Sequence, residues 1–301
     1  MSDARRLTRR SALAGIGASL LAAGAAAAQA RRIHTATESQ PLTLVPAGQD
    51  AGGNEVSIRI EGARRIVESN GIPDHAVGRF PNGGNPNQIR AQSYRFDMPV
   101  APRMGGGAEI QRGVLLGVAV NGVPFDPGTA EYWQGDPSTG WRYEALGGAV
   151  ALGLDANYAH VQPNGAYHYH GLPIGLMQAL GWRADRASPL IGWAADGFPI
   201  YAMTAEVDGA VVEMTSSWRL RSGSRPGGNA PHGTYDGTFV QDYVHVPGSG
   251  MLDARNGATV RTAEYPEGTY AYFLTRAFPF IPRELAAPAE QSFRRGPPPR
   301  G

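Results

Sequence analysis

Apolar positions along the chain recur in short runs with the period of a strand, and turn residues close nearly every run. Val56-Ser57-Ile58-Arg59-Ile60 alternates apolar and polar side chains, which predicts a half-buried strand. Tyr94-Arg95-Phe96 opens another extended segment that stops at Pro99. Gly113 to Val120 is a continuous apolar run ended by the tight-turn pair Asn121-Gly122, and predicts a buried central strand. Leu190 to Tyr201 resumes strand and turn about Asp196-Gly197, and Val207-Asp208-Gly209-Ala210-Val211 reads as a hairpin turn. Only Ile174 to Leu180 has helical character.

The pattern predicts a single mainly β domain over residues 55–284, sandwich-like or an irregular barrel, with long Gly/Pro-rich loops. Ahead of it, Thr8-Arg9-Arg10-Ser11-Ala12-Leu13 leads into an apolar Ala/Gly/Leu run that exits through Ala28-Gln29-Ala30. A basic head, an apolar middle and an A-x-A exit predict a cleaved signal over 1–30, and the paired arginines resemble a twin-arginine signal. The expected location is the periplasm or the exterior, reached through the twin-arginine translocation machinery, with no stable membrane span after cleavage. Residues 31–54 read as a linker and 285–301 as a disordered tail.

Composition narrows the chemistry. The 301 residues contain 41 Gly and 24 Pro, as many short strands and turns require. There is no Cys, which removes thiol nucleophiles, disulfides and thiolate metal sites. There is no Lys either, so Schiff-base chemistry and the P-loop lysine are excluded. Without its first 30 residues the chain carries a net charge of −2, which gives no support to nucleic-acid binding.

Two of the seven histidines stand in Gly165-Ala166-Tyr167-His168-Tyr169-His170-Gly171-Leu172-Pro173. Alternation along a strand puts His168 and His170 on one face, about 6.5–7 Å apart along the strand, and Tyr167 and Tyr169 on the other. Gln162-Pro163-Asn164-Gly165 is a turn, so a hairpin would return His160 to the same two side chains. Imidazole is the commonest side-chain metal ligand, and a nitrogen and oxygen donor set suits Zn²⁺, Cu²⁺, Mn²⁺ or Fe²⁺. The expected metal ligands are therefore His160, His168 and His170, with His75, Asp74 and Asp196 brought near by the fold. With an open coordination position, such a centre could acidify water, Asp74, Asp196 or Asp242 serving as base. The competing structural reading has the histidines capping a Gly-rich hairpin and bonding to backbone. A second functional reading is a non-catalytic module that takes a glycan or protein on the aromatic loops around Trp133, Trp141 and Trp193. The ligand, small molecule or glycan, is not specified by any local motif.

The tetrad Tyr167 to His170 resembles that of the YHYH family of bacterial exported proteins. The similarity extends to Ser69-Asn70-Gly71-Ile72-Pro73-Asp74-His75, Gly122 to Pro127, His160 to Gly165, Gly192 to Tyr201 and Tyr235-Asp236-Gly237-Thr238. The resemblance implies no activity, since the family is named for a motif. It does imply two differences: relatives often carry cysteines at the positions of Ala254 and Glu284, and can carry a His at that of Ala271.

Overall fold

The computed structural model describes residues 51–295 and the backbone of Val45–Pro46. The predicted signal at 1–30 and most of the predicted linker at 31–54 lie outside the described residues. Seventeen short strands carry the chain: β1 (Val45–Pro46), β2 (Val56–Glu61), β3 (Arg64–Ser69), β4 (Ala76–Val77), β5 (Tyr94–Pro99), β6 (Gly117–Ala119), β7 (Pro124–Phe125), β8 (Ala159–Val161), β9 (Tyr167–Tyr169), β10 (Gly192–Ala194), β11 (Pro199–Ala202), β12 (Thr204–Val207), β13 (Ala210–Glu213), β14 (Trp218–Leu220), β15 (Tyr243–His245), β16 (Gly257–Val260) and β17 (Thr269–Leu274). The helix α1 (Ile174–Ala179) falls where the sequence predicts it.

Eight strands form one mixed sheet in the order β16-β17-β11-β10-β6-β7-β9-β8, and β2-β3-β5 form a second, antiparallel one. The large sheet is open, with β16 and β8 at its edges, so the fold is mainly β without a closed barrel. Val67, Phe96 and Met98 from the small sheet share one core with Val118, Phe125, Trp193 and Ile200 from the large one. The predicted central strand is β6, shorter than its apolar run because strand pairing reaches only Gly117–Ala119, Gly117 and Val118 having partners on both sides and Ala119 on one. The predicted hairpin turn at Asp208-Gly209 joins β12 to β13, both residues having positive φ. Among the described residues no helix is long and apolar enough to cross a membrane.

Two expectations are corrected. The alternating segment β2 is a strand but is not half-buried: it lies at the edge of the small sheet, and Ile58 and Ile60 are 41% and 62% exposed. The core is closed by β3 and β5 instead. The segment after Glu284 is packed as far as it is described. Phe293 is buried and stacks on Phe96 with ring centroids 4.8 Å apart, while the Leu115 amide donates to the Phe293 carbonyl. Its few apolar residues complete the core over β5, which a composition rich in Ala, Arg and Pro conceals.

Candidate metal centre

The antiparallel pair β8 and β9 builds the site. His160 stands opposite His168, flanked by the pairs Ala159 with Tyr169 and Val161 with Tyr167. Gly165, at φ 90°, closes the connecting turn, a backbone conformation that a side chain would strain. His170 follows β9 directly, its amide donating to the Tyr158 carbonyl at 2.7 Å. The three imidazoles meet: Nε2 of His168 lies 3.0 Å from Nε2 of His170, which lies 3.1 Å from Nε2 of His160. Among the described residues this is the one group of three or more His, Asp or Glu whose donor atoms approach closely enough to share an ion.

Backbone carbonyls orient two of the rings. His160 Nδ1 lies 2.9 Å from the Leu152 carbonyl and His168 Nδ1 lies 3.2 Å from that of Ala166. A ring nitrogen facing a carbonyl carries the hydrogen, so both Nε2 atoms present lone pairs to the centre. His170 Nδ1 is buried without a well-aligned partner. Burial first, then the neighbouring imidazoles, hold the pKa of His168 well below the usual histidine range. Burial, His160, Arg283 and Arg295 do the same for His170. His160 is lowered by burial too, against the pull of the Leu152 carbonyl, Asp126 and Glu131. Three neutral imidazoles therefore face one another.

These residues fit a metal. With metal–nitrogen bonds of about 2.0–2.1 Å, a tetrahedral site spaces its donors about 3.3–3.4 Å apart, slightly wider than the Nε2 spacings found here. No carboxylate joins the group, so a fourth position would fall to water or a ligand.

Residues 95–287, more than half the chain and spanning the triad, match the family model described as YHYH protein. The chain belongs to the YHYH family. No curated protein and no solved structure matches it. The two differences from relatives gain a structural setting. Where the resemblance implies paired cysteines, an ion pair between Arg255 and Glu284 (2.8 Å) joins the same two segments. Ala271 lies in an apolar cluster with Tyr201, Leu252 and Phe273, apart from the histidines, so the triad lacks nothing on its account.

The fold does not bring His75, Asp74 or Asp196 to the triad. His75 serves the opposite face of β9: its Nδ1 donates to the Ala76 carbonyl, and its Nε2 accepts from the Tyr169 hydroxyl at 2.6 Å. Asp74 accepts from Asn121 Nδ2, which also donates to that hydroxyl. Asp196 is buried; its carboxylate accepts from the Tyr272 hydroxyl and from the amides of Phe198, Ala286 and Ala287. It therefore anchors the C-terminal segment and also forms the turn that the Asp-Gly pair predicts. Asp242, fully buried, pairs with Arg225.

The aromatic residues do not form one open face. Trp193 is buried under the Arg65 guanidinium, 4.3 Å from its ring, and Trp133 and Trp141 both stand edge-on to Phe239. The charges that act on the three imidazoles, Asp126, Glu131, Arg283 and Arg295, lie outside the β8–β9 hairpin in sequence. No local motif marks them, which is why sequence reasoning misses them.

Proposed function

We propose that this YHYH-family protein is exported and binds one divalent transition metal through Nε2 of His160, His168 and His170, as the centre of a metal-dependent hydrolase. The Nε2 spacing carries the reading. Two of the three rings turn Nδ1 toward backbone carbonyls, His160 more closely toward Leu152 (2.9 Å) than toward Asn85 Nδ2 (3.3 Å), which favours Nδ1–H, and neutral His170 has at most one hydrogen to offer two facing lone pairs. A buried cation removes that conflict and frees His170 to carry its hydrogen on Nδ1.

All-nitrogen donors at a largely buried site favour Zn²⁺ or Cu²⁺ over Mn²⁺ and Fe²⁺. When bound, such an ion would lower the pKa of a coordinated water toward neutrality. The chain's own part is to hold three neutral donors in fixed orientation, to keep bulk water from His168 and His170, and to leave the fourth position unfilled. The twin-arginine head supports export, a route that suits a protein folded around its ion before transit.

The test is elemental analysis of protein recovered from the periplasm of its native host. The expected result is about one transition-metal ion per chain, lost in His168→Ala/His170→Ala. Equal, near-zero metal in both proteins refutes the reading. Replacing Arg9 and Arg10 by Lys should leave the protein in the cytoplasm; unchanged export refutes that part.

A further inference from the structure

Beside the triad, the loop from Pro127 to Arg142, the turn at Val240-Gln241 and Arg283 line a half-open cavity of about 190 Å³. Asp126, next to the lining residue Pro127, donates its amide to the Tyr169 carbonyl, between His168 and His170. The cavity and the triad thus share one stretch of backbone.

Two guanidinium groups line this space, and they differ. Arg283 is neutralised: both carboxylate oxygens of buried Glu144 accept from its Nη2, at 2.9 and 2.7 Å. Its Nε remains buried without an acceptor. Arg142 forms none of the ion pairs among the described residues. Its Nε and Nη2 both donate to the Tyr132 hydroxyl, at 3.1 and 2.9 Å, and its own backbone is pinned by Gln241 and Val240. Nη1 carries none of these bonds. It lies over Gly128, where a Cβ would come within 2.8 Å of it and 3.9 Å of Oδ1 of Asp126, the carboxylate that pairs with Arg295. The carboxylate in the lining, Glu109, is exposed at the rim, where water screens it.

A positioned guanidinium with one free edge and no ion pair of its own, the nearby carboxylates Glu144 and Asp126 being paired with Arg283 and Arg295, matches an oxyanion. The volume selects further, because pockets for drug-sized ligands run to about 300–1,000 Å³. A small anionic group fits here. We propose that the cavity binds the anionic group, phosphate or carboxylate, of the small molecule on which the triad acts, with Arg142 as its anchor. This rests on the proposed role of the triad: three neutral ligands leave both charges of a divalent ion uncompensated, which adds to the attraction for an anion.

The experiment titrates inorganic phosphate and, separately, acetate into the full-length protein as purified, at constant ionic strength, by calorimetry. Saturable binding of one of them is expected, and the stronger one names the group. Arg142→Gln should weaken it at least tenfold and Arg142→Lys several-fold, with metal content and circular dichroism unchanged. No saturable binding of either anion, or equal binding by the wild type and R142Q, overturns the proposal. Should R142Q fail to fold, R142K decides: weaker binding supports the anchor and unchanged binding overturns it. Repeating the titration on the His168→Ala/His170→Ala protein separates the two readings. Binding that remains sensitive to Arg142 without metal upholds the cavity even if the metal centre fails.

Discussion

The Tyr169 hydroxyl donates to His75 Nε2 across 2.6 Å on the face of β9 that points away from His168 and His170. β9 and the residue that follows it thus send two side chains to the triad and two to the core, and substitutions on the two faces should separate cleanly. His160→Ala, His168→Ala and His170→Ala should each remove most of the metal, whereas His75→Ala should retain it. Metal content of the four purified variants checks this; loss in the His75 variant equal to that in the others would contradict the assignment.

Tyr169→Phe should lower stability by about 1–3 kcal/mol, because the buried hydroxyl bonds both His75 and Asn121 and its removal leaves their polar groups unpaired. Urea denaturation measures the change. Metal stoichiometry should stay at the wild-type value.

Asp196→Ala leaves the Tyr272 hydroxyl and the amides of Ala286 and Ala287 without their acceptor. A loss of roughly 3 kcal/mol is expected. Limited proteolysis should then cut the chain beyond Glu284, at sites that resist in the wild type. Unchanged resistance would mean that Phe293 and its neighbours hold the segment without the carboxylate.

The metal-stripped protein should lose stability as pH falls below about 6.5, the ordinary pKa of an unfolded histidine. The sign follows from the direction of the shifts: burial holds His168 and His170 well below that value when folded, so the unfolded chain binds more protons and is favoured by acid. Thermal midpoints between pH 7.5 and 5 should fall toward the acid side, and His168→Ala/His170→Ala should flatten the slope.

Local sequence carries the ladder and the triad. Period-two alternation in Tyr167-His168-Tyr169-His170 and the turn at Gln162–Gly165 suffice to place His160 beside His168. The same alternation misleads at β2, because a period does not say which sheet edge a strand will occupy. His75 and Asp196 were plausible ligands by residue type, yet Tyr169 and Tyr272 claim them through contacts 94 and 76 residues distant in sequence. Glu144 and Arg283, 139 residues apart, leave no local trace at all. What depends on neighbours in the chain was legible; what depends on the closing of the fold was not.

On the proposed metal role, the placement of the triad on β8, β9 and the residue that follows β9 gives the hairpin a chemical check on its own alignment. A shift of one residue would set His160 opposite a tyrosine and aim it at the other face, leaving two imidazoles where three are required. Since β8 is an edge strand with one neighbour, it is the strand of the large sheet most in need of such a check. If the triad binds its ion as proposed, an ion that demands all three donors would be retained only by chains whose edge strand has been laid down in the correct alignment, so metal content would measure folding accuracy as well as capacity.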